Sequence, residues 1–528
     1  MSMDLEIMDT TLRDGEQMKN VSYSPDEKLA LAQMLLDEVK VDRIEIASAK
    51  VSAGEEEAVE KIFKWAKKYN FDQRIEVLGF VDIKESIDWI IKLGGKVVNI
   101  LAKGSEKHLT TQLGRTKEQH IQDIRETIKY AQNNGVVCNV WLEDWSNGML
   151  NSPDFVYYFL DKLCQERVQR FMLADTLGIL YPAQVYKFLK EILMKYPGVH
   201  FDFHGHNDYG LATANTLSAV EAGIKGVHCT VNGMGERAGN ASLEEVVVAI
   251  KDFFDIDVGI KEKKLYSLSK TVEAFSTYRI ASNKPICGEN VFTQTAGVHA
   301  DGDRKGNLYF SKLLPERFSR IRQYSLGKLS GKSSLEYNLE EIGVSLSKKQ
   351  KQKILNRIIE LGDKKKIITS VDLPYIISDV LETPEEKHFE IKICNILTSN
   401  SMKPIASIKL VYKSSEDVSA VELEESAQGD GGYDAFMNAI RKIFQKIDFN
   451  LPKLLDYTIT IPPGGKTDAL VQCTIIWEFD NKQNFITKGV NSDQVLAAIE
   501  ATEKMMNIIA LMKKSNKIEN ESSIKKVM

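Results

Sequence analysis

For roughly its first 265 residues this chain repeats one unit, a short apolar strand followed by an amphipathic helix, and few folds accept that unit eight times in succession. The strand segments are LEIMDTT, VDRIEIAS, RIEVLGF, KVVNILA, VVCNVWLED, VQRFMLADT, HFDFHGHN and KGVHCTVNG. Most are rich in Val, Ile, Leu or Phe, and all are short enough to be buried parallel strands. Between them lie helical stretches. In SPDEKLALAQMLLDEV, Leu29, Ala32, Leu35 and Leu36 recur at helical spacing, and Ser24 before Pro25 forms an N-cap with proline at the first helical position. TKEQHIQDIRETIKYAQNNG is stopped by Asn134 and Gly135. Eight such units in about 255 residues predict a (β/α)8 TIM barrel. The rival is a doubly wound open sheet, which ordinarily uses fewer strands, and nothing in the segment order marks a reversal.

A barrel gathers the C-terminal ends of its strands at one mouth, where barrel enzymes keep their active sites. Here those ends are polar: Arg13 and Asp14 after strand 1, Glu45 and Ser48 on strand 2, Glu143 and Asp144 on strand 5. Strand 6 adds Asp175 and Thr176, strand 7 adds His204, His206 and Asn207, and strand 8 runs into NGMGERAGN. Residues two apart on a strand face the same way, so His204 and His206 are placed to share one ion. Alone, such a pair is better explained by packing; with carboxylates at neighbouring strand ends, the preference reverses to a metal site. Asp14, and Asn240 beside strand 1 in a closed barrel, would complete a nitrogen and oxygen donor set suited to Mn²⁺, Mg²⁺ or Zn²⁺ acting as a Lewis acid. His108, His120, His200, His228 and His388 lack such company. The glycines of NGMGERAGN miss the dinucleotide-binding fingerprint by one residue and are read as a tight turn that positions Asn240.

A length of 528 residues is too great for the barrel alone. Residues 266–385 change to helices with basic loops, and 386–512 return to strands and helices as a C-terminal α+β module containing QGDGGYD and PPGGKTD. The Lys-rich end, 513–528, is expected to be a frayed, disordered tail. A formal net charge of −5 gives no reason to expect nucleic acid or an anionic membrane as a partner. Six scattered cysteines with no C-x-x-C pair, no signal-like core and no apolar run near ~20 residues lead to the expectation of a cytoplasmic protein.

Six stretches, DTTLRDGEQ, HGHNDYGLATANTLSAVEAG, NGMGERAGNASLEE, FTQTAGVHADG, GDGGYDAF and IPPGGKTDALV, resemble the metal-dependent acyltransferase branch of the DRE-TIM metallolyases. That branch holds the 2-isopropylmalate, homocitrate and citramalate synthases, and the resemblance spans nearly the whole chain. It implies a barrel (1–265), small helical subdomains (266–385) and a regulatory domain (386–512) that binds an end-product amino acid, in a homodimer. It implies Asp14, His204 and His206 as metal ligands, with Asn240 direct or through water. Arg13 would face the keto-acid carbonyl, Glu143 and His299 would serve acid/base steps, Thr176 would contact the substrate carboxylate, and Tyr309 would lie near the acyl-CoA or the base. Because His299 lies outside the barrel by sequence, the helical subdomain would have to close to complete the site.

The chemistry asks for these residue types independently. Polarising an α-keto acid needs a Lewis acid, a base must take a weakly acidic proton from the methyl of acetyl-CoA, and the charge arriving on the carbonyl oxygen needs a cation such as Arg13. Selectivity for the keto acid is assigned to Leu78, Leu101 and Trp141. Two leucines and a bulky aromatic resemble the citramalate enzymes most, which favours pyruvate over 2-oxoisovalerate, although those enzymes carry Tyr where this chain has Trp141. A distal carboxylate, as homocitrate formation requires, would be costly to desolvate there. The expected effector is isoleucine, or leucine if the enzyme makes 2-isopropylmalate. Rival classes are a metal-dependent lyase, which would not need the C-terminal module, and a non-catalytic amino-acid sensor, which would not need Arg13, Asp14 and both histidines.

Overall fold

A computed structural model of the chain describes residues 5–341, 344–363, 388–413, 420–447, 449–460, 471–479 and 483–525, with 368, 373, 376, 377 and 380. The eight predicted strands form one closed, all-parallel barrel in sequence order. They are β1 Glu6–Asp9, β2 Arg43–Ser48, β3 Ile75–Phe80, β4 Val97–Lys103, β5 Val137–Glu143, β6 Phe171–Asp175, β7 Phe201–Gly205 and β8 Gly226–Cys229. β8 closes on β1, with Met8 paired to His228 and Asp9 to Cys229. The helix after β1 begins at Pro25 with a full capping box, Ser24 accepting from the Glu27 N–H.

Strand periodicity sorts the barrel into two layers. Outward residues such as Ile44, Ile46, Val77, Ile100, Val140, Phe203 and Val227 are buried against the helices in the main core. The inward positions between them are largely polar and equally buried: Arg43, Glu45, Glu76, Asn99, Asn139, Asp202 and His228. Barrel interiors are ordinarily filled by branched apolar side chains. This one is filled by a hydrogen-bonded chain. Asn99 donates to Glu45 (2.7 Å), Asn139 to Asn99 (2.8 Å), and Arg43 to both Glu76 (2.9 Å) and Asp202 (2.6 Å). Burial alone would raise the Asp202 carboxyl, but Arg43, His200 and His228 hold it well below the ordinary carboxylate range. Glu45, expected at the rim, is therefore mid-strand and wholly buried.

The helical region expected as a separate block at 266–385 is divided. Met1–Thr293 and Tyr309–Gln323 form one compact unit; Gln294–Leu308 and Tyr324–Met528 form the other. The helix Leu265–Ser276 belongs with the barrel because its apolar side, Leu265, Leu268 and Val272, joins the barrel core. Phe292 and Phe318 stack at 5.8 Å within the same unit.

The second unit has a small core around Leu335, Ile354 and Ile358. It also has two three-stranded antiparallel sheets that share a core with the helices Gly432–Lys446 and Gln494–Lys525. QGDGGYD is a strand-to-helix turn: a side chain at Gly429 would meet the Ala435 backbone nitrogen at 2.2 Å. PPGGKTD lies outside the described residues. The last helix runs to Lys525. Polar helix formers extend an existing helix without a new nucleation cost.

Replacing Arg43 by Met would leave Glu76 and Asp202 buried without their cation, a loss of about 3–5 kcal/mol by analogy with broken buried ion pairs. Urea unfolding of Arg43→Met checks this; a loss under about 1 kcal/mol would mean that the interior network contributes little.

Candidate active site

The stretch DTTLRDGEQ is both a turn and a site. After β1 ends at Asp9, the N–H groups of Arg13, Asp14 and Gly15 all converge on the Thr10 carbonyl, at 3.1, 2.8 and 3.1 Å. The Asp9 carboxylate accepts from the Thr11 N–H (2.9 Å) and hydroxyl (3.0 Å), closing the turn from beneath. Glu16 points the other way, to the Tyr23 N–H at 2.8 Å and to the buried Lys28 ammonium at 2.6 Å. Arg13, Asp14 and Gln17 are left facing a cavity of about 180 Å³ at the barrel mouth.

Asp14 Oδ2 lies 3.2 Å from His204 Nε2 and 3.8 Å from His206 Nε2. All three residues are buried, and one ligand atom from each falls within 4.8 Å of the others. Burial alone would raise the Asp14 carboxyl, but Arg13 and the two histidines hold it well below its ordinary range. Burial pushes both imidazoles down to about 4, so at neutral pH they are uncharged, the form that ligates metals.

Asn240 is brought beside His206 by a backbone bridge and donates to the Met234 carbonyl at 3.0 Å. Its Oδ1 and the Oδ1 of Asp14 are buried acceptors with no donor. Two such acceptors beside two neutral imidazoles fit a divalent cation. The turn that positions Asn240 needs its glycines, since a Cβ at Gly239 (φ +85°) would sit 1.9 Å from the Gly233 carbonyl oxygen.

Arg13 is fixed from two sides. Its Nε donates to Glu45 Oε2 at 2.5 Å, and its Nη1 lies 3.2 Å from Asp14 Oδ2. Burial alone would pull the guanidinium down, but Glu45 and Asp14 outweigh it and hold it charged. The guanidinium also lies over the Trp141 ring, 5.3 Å from its centroid. The Trp141 indole N–H donates to Glu45 Oε1 at 3.2 Å, and the ring meets His204 edge-on at 4.9 Å. Leu78, Leu101 and Trp141 line the cavity, in one apolar cluster with Met8, Met172 and Ala174.

Glu143 and Thr176 line the same cavity. The Thr176 hydroxyl accepts the Asp144 N–H at 2.8 Å, while Asp144 itself is held by Ser105 (2.7 Å) and Asn147 (2.8 Å). Asp175 is turned away from the cavity, accepting from the Ile179 and Leu180 N–H groups. Tyr309 is not among the lining residues, and His299 belongs to the second unit, where its Nδ1 lies 3.0 Å from Gln294 Oε1. Ala174 and Glu236 line the cavity but were not singled out in the sequence. Glu236 sits within the motif GERAGN, whereas nothing local marks Ala174.

Residues 4–272 match the HMGL-like family model, 286–366 the homocitrate synthase post-HMGL domain-like model, and 367–510 the LeuA allosteric (dimerisation) domain. The chain belongs to the HMGL-like family. Within it, the chain is an acyltransferase, similar over nearly its full length to two proteins of Methanocaldococcus jannaschii. The (R)-citramalate synthase CimA is 35% identical, covering 96% of this chain and all of that one. The 2-isopropylmalate synthase is also 35% identical, covering 95% and 94%.

If Asp14 is a ligand, Asp14→Asn weakens Mn²⁺ binding in calorimetric titration by more than the roughly 10–100-fold cost of removing a group that only orients a ligand. Unchanged affinity in a folded variant would contradict the ligand set. The depressed imidazoles also give the metal-free protein a pH signature. The unfolded chain binds more protons than the folded one between about 4 and the ordinary 6.5, so their contribution is complete above that window and lost as pH falls through it. Thermal melting of chelator-treated protein across that window checks the sign.

Proposed function

We propose that the enzyme condenses acetyl-CoA with pyruvate and hydrolyses the thioester, giving citramalate and free CoA in the branch that leads to isoleucine. The observation that carries this reading is the wall formed by Leu78, Leu101 and Trp141 beside Arg13, with Trp141 tied to Glu45. That wall offers no partner for a distal carboxylate and leaves a small apolar space suited to a methyl group. The alternative is 2-oxoisovalerate, for which a relative named 2-isopropylmalate synthase at the same identity speaks.

Asp14, His204 and His206, with Asn240 as a further ligand, would hold a divalent cation that polarises the 2-oxo group as a Lewis acid. The chain's own residues supply the rest. Thr176, whose oxygen already accepts the Asp144 N–H, offers its hydroxyl hydrogen to the substrate carboxylate. Glu143 takes a proton from the acetyl methyl: a C–H bond breaks, an O–H bond forms, and the electron pair enters an enolate. The enolate carbon attacks C2 of the keto acid, and the electron pair of the carbonyl moves to oxygen, where Arg13 stabilises it until that oxygen takes up the proton held on Glu143 and becomes the hydroxyl. Water then adds at the thioester carbonyl, the C–S bond breaks, and CoA leaves as the thiol. His299 is the second candidate for proton transfer, and a His299→Ala variant with near-normal turnover would remove it. Tyr309 is assigned a contact with acyl-CoA.

The C-terminal LeuA-type domain supports a homodimer inhibited by its end product, with isoleucine favoured over leucine. The proposed boundaries are the barrel at 1–265 and the regulatory domain at 386–512, with the helical residues 266–385 divided between the two compact units. The among-described-residues absence of a helix long and apolar enough to cross a membrane is compatible with the expected cytoplasmic location.

Free thiol released from acetyl-CoA distinguishes the substrates. Pyruvate is expected to exceed 2-oxoisovalerate in kcat/KM by at least about tenfold, the usual worth of a methylene or two in an apolar pocket. Trp141→Ala should narrow that ratio. A wild-type preference for 2-oxoisovalerate would overturn the assignment.

A further inference from the structure

Lys103 ends β4 directly opposite Glu143, the last residue of β5. It is a lysine in the barrel rim that is only 6% exposed, and its ammonium is paired with Glu143 Oε2. A lysine this buried needs a counter-charge, and the surrounding backbone leaves it little choice of one. The Lys103 N–H donates to His120 Nε2 at 3.1 Å, and the Gly104 N–H donates to the Glu143 carbonyl at 2.6 Å. The end of β4 is also wedged against the helix that follows β5, Trp145–Asn151, because a Cβ on Gly148 would lie 2.1 Å from the Gly104 carbonyl oxygen. Asp144, the other carboxylate nearby, is already engaged by Ser105, Asn147 and His108.

We infer that Lys103 is a positioning residue for the condensation, fixing the Glu143 carboxylate in the cavity wall where it takes the acetyl proton. This rests on the proton-transfer role proposed for Glu143. The ammonium removes most of the rotational freedom of the Glu143 side chain, so the base is held in place before substrate arrives. Lys103 itself does not line the cavity, so its effect passes through Glu143 and belongs to the chemical step more than to keto-acid binding.

The test uses the full-length enzyme with acetyl-CoA and pyruvate, assayed by thiol release, with melting temperatures to confirm folding. Lys103→Met should lower kcat by about tenfold or more while KM for pyruvate stays within about twofold, the pattern of an interaction used in the transition state. Lys103→Arg, which keeps the cation, should recover most of that loss. In the double variant Lys103→Met/Glu143→Gln, kcat should be no lower than in Glu143→Gln alone, because coupled groups are not additive. Near-normal kcat in Lys103→Met beside an inactive Glu143→Gln would overturn the inference and leave the role of Glu143 standing. Losses that add fully in the double variant would also overturn it. Near-normal kcat in Glu143→Gln would instead remove the proton-transfer role, and the inference with it.

Discussion

Carboxylates inside a barrel are tolerated only when a cation reaches each of them, and this fold depends on that condition being met twice. Near the mouth, Arg13 meets Glu45 and Asp14. Deeper in, Arg43 meets Glu76 and Asp202. Asn99 and Asn139 join the two clusters, so the barrel interior is one hydrogen-bonded column from β7 up to the turn after β1. An unpaired charge anywhere along it would cost several kcal/mol, which makes the geometry at the mouth a property of the whole interior.

That coupling explains why the candidate site is rigid where chemistry needs it. Glu45 holds both Arg13 and Trp141 through its two oxygens, so the cation proposed to face the developing charge and the wall proposed to select the keto acid share one anchor. On the opposite side, the ends of β4, β5 and β6 are joined through Lys103, Ser105, Asp144 and Thr176. Preorganised dipoles and charges of this kind do not have to reorient during reaction.

The barrel itself was legible because strand length, apolar content and helix punctuation agree along the first half of the chain; seven of the eight strands fall inside the predicted segments, and β4 runs one residue past its own, to Lys103. The cluster of Asp14, His204 and His206 was legible too, since closing a barrel brings strand ends together whatever lies between them. The interior network was not. Arg43, Glu76 and Asp202 each look like an isolated charge in an apolar run, and their partners lie on other strands. Their signal is a charge at an inward position of a strand with no solvent face. Lys103 was hidden for a similar reason, as its meaning appears only beside Glu143. The division of residues 266–385 between two units reflects apolar faces whose destination no local pattern states.

The central claim is that the polar strand ends form one metal and keto-acid site, and pulsed electron paramagnetic resonance of the Mn²⁺-loaded enzyme tests it directly. With ¹³C-labelled pyruvate, couplings are predicted to two imidazole nitrogens and, on adding substrate, to the pyruvate carbon, with the nitrogen couplings reduced in His206→Ala. Manganese spectra without imidazole coupling, or unchanged by saturating pyruvate, would contradict the account.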